Sequence, residues 1–192
     1  MYRIRKSIDI DFSHHVHGHM GPCINVHGHT WKFEVGLEAT ELTTEGFVVD
    51  FKHLKNRVLK PSAQLLDHAL AVGEVTYQRI EGDLAELGAK LLATRPDGGA
   101  GEPKPELELA GAMNRYPGGM KVAVFPFIPT SERLAEWLWR LADSELNDGR
   151  VAVSYGRIYE TLHPVESVAK FLDDLVNLLW RRPIAWLYWL AR

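Results

Sequence analysis

Imidazole and thiol groups crowd into one short stretch near the start of the chain. Between Phe12 and Trp31 the sequence reads FSHHVHGHMGPCINVHGHTW, which holds six of the nine histidines and the single cysteine. His27 and His29 stand one residue apart in a segment that alternates polar and apolar residues. Side chains at i and i+2 leave a strand on the same face, so these two imidazoles can converge on one ion. His14 ends the preceding alternating segment and, folded back across the connection, offers a third nitrogen. Three imidazoles with one open position suit catalytic zinc, whereas structural zinc is usually closed by four protein ligands. Oxygen-preferring ions fit such a nitrogen set poorly. His15, His17 and His19 lie in or beside the connection and read as solvent-facing. Cys23, four residues before His27, sits between Pro22 and a polar loop. A neighbouring cation would stabilise its thiolate, which favours a reactive thiol over a small core residue.

These groups need elements to carry them. Tyr2 to Phe12 alternates, with Ile4, Ile8, Ile10 and Phe12 on one face, and His27 to Ala39 puts Trp31, Phe33 and Val35 on the face of His27 and His29. Two strands joined locally predict a long hairpin. Asp50 then caps a helix with Phe51, Leu54 and Val58 on one side, interrupted or restarted at Pro61. Residues 77–93, YQRIEGDLAELGAKLLA, have a helical pattern, RPDGGAGEPKPEL reads as a loop, and GGMKVAVFPFIP as a strand. Thr130 caps a further helix whose buried side carries Leu134, Trp137, Leu138 and Leu141, stopped at Asn147-Asp148-Gly149. RVAVSYGRIYET returns to strand periodicity. Beyond Pro164, apolar residues at Val165, Val168, Leu172, Leu175, Val176 and Leu179 predict an amphipathic helix. The order is that of an α+β protein with a mainly antiparallel sheet.

Bulk properties narrow the classes. A sequence of 192 residues suits one domain, with 46% hydrophobic and 24% charged residues. A net charge of -3 leaves no basic excess for nucleic acid. One cysteine excludes an intrachain disulfide and fits a reducing compartment. No apolar run approaches the roughly 20 residues that span a bilayer, and the N-terminus lacks a signal-peptide core. The expectation is a cytoplasmic protein. The aromatic tail with Trp180, Trp186, Tyr188 and Trp189 is expected to pack on protein rather than on a membrane surface.

Five motifs in order carry a resemblance. IDFSHHVHGHMGPCINVHGHTWKFEV, GFVVDFKHLK, LLDH, PTSERLAEWLW and IYET resemble the 6-pyruvoyl-tetrahydropterin synthase / 6-carboxy-tetrahydropterin synthase family. The resemblance covers Ile10 to His68 and Pro129 to Thr161. It implies the tunnelling fold (T-fold): a four-stranded antiparallel sheet with two helices on one face. To this pattern the chain adds an insertion over about 70–125 and, from its hydrophobic period, a C-terminal helical extension over about 165–192. It implies trimers or hexamers with sites between subunits. His14, His27 and His29 take the role of zinc ligands, Cys23 that of the general base, and Asp67 and His68 that of a proton-relay pair. Glu160 takes the role of the carboxylate that grips the substrate's amino-pyrimidine edge. The implied substrate is 7,8-dihydroneopterin triphosphate. The compact Cys-x-x-x-His-Gly-His spacing resembles the type that forms 6-carboxy-tetrahydropterin with loss of triphosphate and acetaldehyde, in 7-deazaguanine and queuosine synthesis. The alternatives are the pyruvoyl-forming reaction of the tetrahydrobiopterin pathway, a zinc enzyme acting on another purine or pterin, and a non-catalytic zinc- or pterin-binding module on the same fold. The sequence departs from the family pattern at His15, where arginine is common, and at Pro22, where lysine is common. It departs again in the roughly 60 residues between LLDH and PTSE.

Overall fold

The computed structural model describes residues 1–97, 105–163 and 165–172. Strand β1 (Tyr2–His14) pairs antiparallel with β2 (His27–Ala39) along its whole length, and β2 pairs with β7 (Val151–Leu162), which pairs with β8 (Val165–Phe171). These four contiguous antiparallel strands are the expected T-fold sheet. On the other side of β1 the sheet continues through four short strands, β3 (Leu70–Gly73), β6 (Val122–Phe125), β5 (Ala112–Arg115) and β4 (Glu108–Leu109). The junction is narrow: β3 runs parallel to β1 over Ser13 and His14 alone. The 70–125 segment therefore widens the sheet at the end where the histidines lie.

The C-terminal helical extension expected over about 165–192 is overturned where it can be seen. Residues 165–171 form β8, not a helix. Val165, Val168 and Leu172 fit a helical period, yet backbone pairing with the exposed edge of β7 satisfies every other N–H and C=O of a short segment more readily than an isolated helical turn would. The remaining residues of that expectation, the aromatic tail included, lie outside the described residues. So does most of the glycine- and proline-rich loop, at 98–104.

Helix α1 (Phe51–Leu54), a π-helical turn (Lys55–Leu59) and α2 (Lys60–Leu66) form one continuous run. Asp50 caps it, its carboxylate accepting from the Lys52 N–H at 2.7 Å. Pro61 does not break the run. It falls in the first turn of α2, directly after the wider turn, where the N–H of Lys60 reaches back to the Lys55 carbonyl. This run and α4 (Ser131–Leu146) cover one face of the sheet, burying Leu54, Leu65, Leu134, Trp137 and Leu138 against Phe33, Leu37 and Ile158. Close contact is possible because β7 has Gly156 beneath α4. A Cβ there would stand 2.7 Å from the Trp139 nitrogen and 2.9 Å from the Ala135 carbonyl oxygen.

Helix α3 (Glu74–Leu92) lies on the opposite face. Alternate residues of β3 and β6 divide between two cores: Ala71, Ala123 and Phe125 join the first, while Leu70, Val72, Val122 and Val124 join Tyr77 and Leu84 of α3.

Candidate metal centre

The apolar face of the hairpin ends in imidazoles. Along β1 the core-facing row runs Ile4, Ile8, Ile10, Phe12, His14, and its register sets His14 opposite His27 and Phe12 opposite His29. Along β7, Ile158 is fully buried and Glu160 follows two residues on, past the Lys32–Tyr159 pair. Three neighbouring strands thus deliver His14, His27, His29 and Glu160 to one spot. One ligand atom from each lies within 4.8 Å of all the others. His14 Nε2 is 3.0 Å from His27 Nε2, and Glu160 Oε1 is 3.8 Å from His14 Nε2 and 3.6 Å from His29 Nε2.

The rings are held from behind. His14 Nδ1 lies 2.9 Å from the Pro129 carbonyl oxygen, and His27 Nδ1 lies 2.9 Å from that of Asn25. Each carbonyl can only accept, so each Nδ1 carries the proton and each Nε2 turns a lone pair inward. His29 Nε2 is buried and has no hydrogen-bond partner among the described residues. Trp31 packs against the cluster, its ring centroid 5.0 Å from that of His14 and 5.2 Å from that of His29, both edge to face. Its Nε1–H donates to the Phe12 carbonyl at 3.1 Å, which fixes the indole between the histidines and the core.

Burial is the main reason that the His14 and His29 imidazoles sit below the usual histidine range. For His14 the Pro129 carbonyl and Glu160 oppose it, and His27 and His29 reinforce it. For His29, Glu160 and Glu166 oppose and His27 reinforces. The neutral imidazole is the form that ligates metal. Two lone pairs facing each other at 3.0 Å, an orphaned Nε2 and an adjacent carboxylate are a donor set that fits a divalent cation of the zinc type.

The other expected site residues are placed differently. Cys23 lies in a short 3-10 turn (Pro22–Ile24), half-buried, outside the four-residue group but on the loop that links its ligands. The Val16 N–H donates to the Cys23 carbonyl at 3.0 Å and closes that loop. Asp67 and His68 pair with each other, Oδ2 to Nδ1 at 3.1 Å, with both side chains exposed. The His68 backbone is left-handed at φ 56° and its N–H donates to the Asp11 carbonyl, three residues before His14 on β1. Glu160, expected at the substrate, lies beside the histidine nitrogens. Its second oxygen accepts a hydrogen bond from Ser131 Oγ at the start of α4. Ser131 and the carbonyls of Pro129 and Asn25 are partners that residue spacing did not single out, whereas Trp31 was placed on the face of His27 and His29 by the strand period. Only the PTSE motif contained a hint, because it brings Pro129 and Ser131 together at a helix start.

A T-fold sheet whose hairpin ends in a three-histidine, one-carboxylate group defines the class of protein. The sequence profile of the 6-pyruvoyl tetrahydropterin synthase family matches residues 3–170, and the protein belongs to that enzyme family. Among its relatives, the 6-carboxy-5,6,7,8-tetrahydropterin synthase of Haemophilus influenzae is 37% identical over 95 residues, 47% of this chain and 65% of that protein. The Aquifex aeolicus protein of the same name is 27% identical over 72% of this chain and 70% of its own. A Pyrococcus horikoshii protein, provisionally given that name, is 30% identical over 85% of this chain and 96% of its own. The crystal structure of an uncharacterized Wolinella succinogenes protein superposes with a TM-score of 0.66 at 25% identity, covering 90% of this chain and 98% of the other. No helix among the described residues is long and apolar enough to cross a membrane.

Proposed function

We propose that this protein is a zinc-dependent lyase that converts 7,8-dihydroneopterin triphosphate and water to 6-carboxy-5,6,7,8-tetrahydropterin, triphosphate and acetaldehyde. The observation that carries this reading is the convergence of His14, His27 and His29 beside Glu160 at the open end of the sheet. The names of the Haemophilus and Aquifex relatives support the carboxy-forming outcome. Zinc bound by the three imidazoles would supply Lewis acidity that makes a C–H bond on the substrate's three-carbon substituent more acidic.

The protein's own residues do the rest. Cys23 as thiolate takes the proton from that substituent as general base. Asp67 orients His68, which exchanges the second proton. Glu160 accepts N–H bonds from the amino-pyrimidine edge, and the Ser131 hydroxyl, donating to one of its oxygens, fixes the plane of the carboxylate. The Asp67–His68 pair is exposed on this subunit, so in this reading it serves the centre of a neighbouring copy, and the working enzyme is a homo-oligomer, a trimer or hexamer. Incubation of the zinc-loaded protein with 7,8-dihydroneopterin triphosphate, followed by mass analysis of the pterin, tests the proposal. A 6-carboxy product supports it. A 6-pyruvoyl product moves the protein to the tetrahydrobiopterin-forming reaction, and no triphosphate release removes both.

A further inference from the structure

We propose that the face of the sheet opposite the metal centre carries a second site, one for a small organic anion with an apolar body. A cavity of about 250 Å³ opens between the end of β1, the loop that follows it, β3 and the first turns of α3. His14 and His15 are consecutive, and the His15 N–H continues the β1–β3 pairing by donating to the Ala71 carbonyl. Their side chains therefore leave on opposite faces, His14 toward the metal ligands and His15 toward this cavity.

The floor is apolar, made by Leu70 and Val72 of β3 and Ile80 of α3. Four polar residues line it: His15, His17, Thr76 and Arg79. Thr76 is buried, with its hydroxyl oxygen 3.4 Å from His17 Nδ1. His15 has a buried Nδ1 with no hydrogen-bond partner among the described residues. Arg79 also lines the cavity and has no ion-pair or hydrogen-bond partner among the described residues. Among the described residues no carboxylate lines it. An apolar floor with a few convergent polar groups is the usual make-up of a small-molecule site. An uncommitted guanidinium, a hydroxyl and an unpaired imidazole nitrogen, with no acid among them, select a carboxylate or phosphate group. The site joins the histidine-rich loop to the 70–125 segment, and it does not depend on the reaction proposed for the metal centre.

Phenyl phosphate is the test ligand, with benzyl alcohol and inorganic phosphate as separate arms. Titration of the full-length protein is followed through the imidazole C–H signals of His15 and His17 by NMR. Saturable binding of phenyl phosphate is expected, with each half-ligand at least about tenfold weaker. Arg79→Ala is expected to weaken phenyl phosphate binding by about tenfold or more. Ile80→Trp, which fills the cavity, abolishes it. Thr76→Val keeps the shape and weakens binding, so the outcome does not hang on whether the larger tryptophan is accommodated. Thermal unfolding of each variant is measured alongside. Benzyl alcohol binding as well as phenyl phosphate overturns the anion preference. Binding unchanged by Arg79→Ala and Ile80→Trp places the anion elsewhere, and no saturation at millimolar concentration removes the site.

Discussion

His14 Nδ1 lies 2.9 Å from the carbonyl oxygen of Pro129, a contact across 115 positions of sequence. It ties the last residue of β1 to the residue just before the cap of α4, so helix placement and ligand orientation are one problem. Thr130, the cap itself, accepts from the Arg133 N–H, and Ser131 follows with its hydroxyl on Glu160. The start of one helix thereby orients two of the four groups at the centre.

Ser131→Ala removes the hydroxyl that donates to Glu160 while leaving the histidines in place. A hydrogen bond to a charged group contributes about 1.5–3 kcal/mol. Pterin affinity is expected to fall roughly ten- to hundredfold, with zinc content unchanged by metal analysis of the purified protein. Loss of zinc with no change in pterin affinity would show that Glu160 acts on the metal instead.

Cys23→Ala separates binding from chemistry. Loss of a general base costs on the order of 10²–10⁴ in rate. The variant is expected to keep zinc and to bind a pterin while its turnover collapses. Full turnover by this variant would assign the proton transfer to another group.

Trp31 is fully buried and stacks on Phe12 with ring centroids 4.7 Å apart. Trp31→Ala opens a cavity under the histidines and is expected to cost about 3–5 kcal/mol, read as a lower denaturant midpoint. Metal affinity falls with it, because the edge contacts that hold His14 and His29 disappear. A variant of ordinary stability and zinc affinity would remove the indole from this role.

Gly156→Ala pushes a methyl group against the backbone of α4 at Ala135 and Trp139. Overpacking of this kind costs about 1–3 kcal/mol. Thermal unfolding should shift down, and zinc affinity should weaken as the Pro129 carbonyl moves off His14. An unshifted unfolding curve would mean that α4 yields freely.

Asp148 governs acid stability at the turn into β7. Burial pushes its carboxyl up, but the N–H groups of Val151 and Arg150 and the Arg150 guanidinium more than offset this and hold it below the ordinary value of 3.8. A depressed carboxylate contributes its full stability above the unfolded-state pKa and loses it as pH falls through the folded-state value. Asp148→Ala is therefore less stable than the natural protein near neutrality, and the gap narrows as pH drops below about 4. Parallel denaturation curves across that range check the sign.

Much of the centre was legible in the sequence. The two-residue period places His27 and His29 on one face, and the hairpin returns His14 to them, because strand geometry and local pairing depend on neighbouring residues. The α+β order of the elements, the caps at Asp50 and Thr130 and the stop at Asn147 were readable for the same reason, while the T-fold itself was implied by the resemblance of five motifs. Residues 165–171 run against their apparent helical period because a short segment with mixed periodicity takes its state from the strand edge it meets. The strands β3, β4 and β5 were too short to register as patterns. The position of Glu160 among the histidine nitrogens, the Pro129 carbonyl behind His14, and the cavity beside His15 depend on contacts between residues far apart in sequence. Local spacing carries no record of such contacts. The histidines, then, were determined by sequence, and their orientation and the partners that hold them were decided by the packing of α4 and α3 on opposite faces of the sheet.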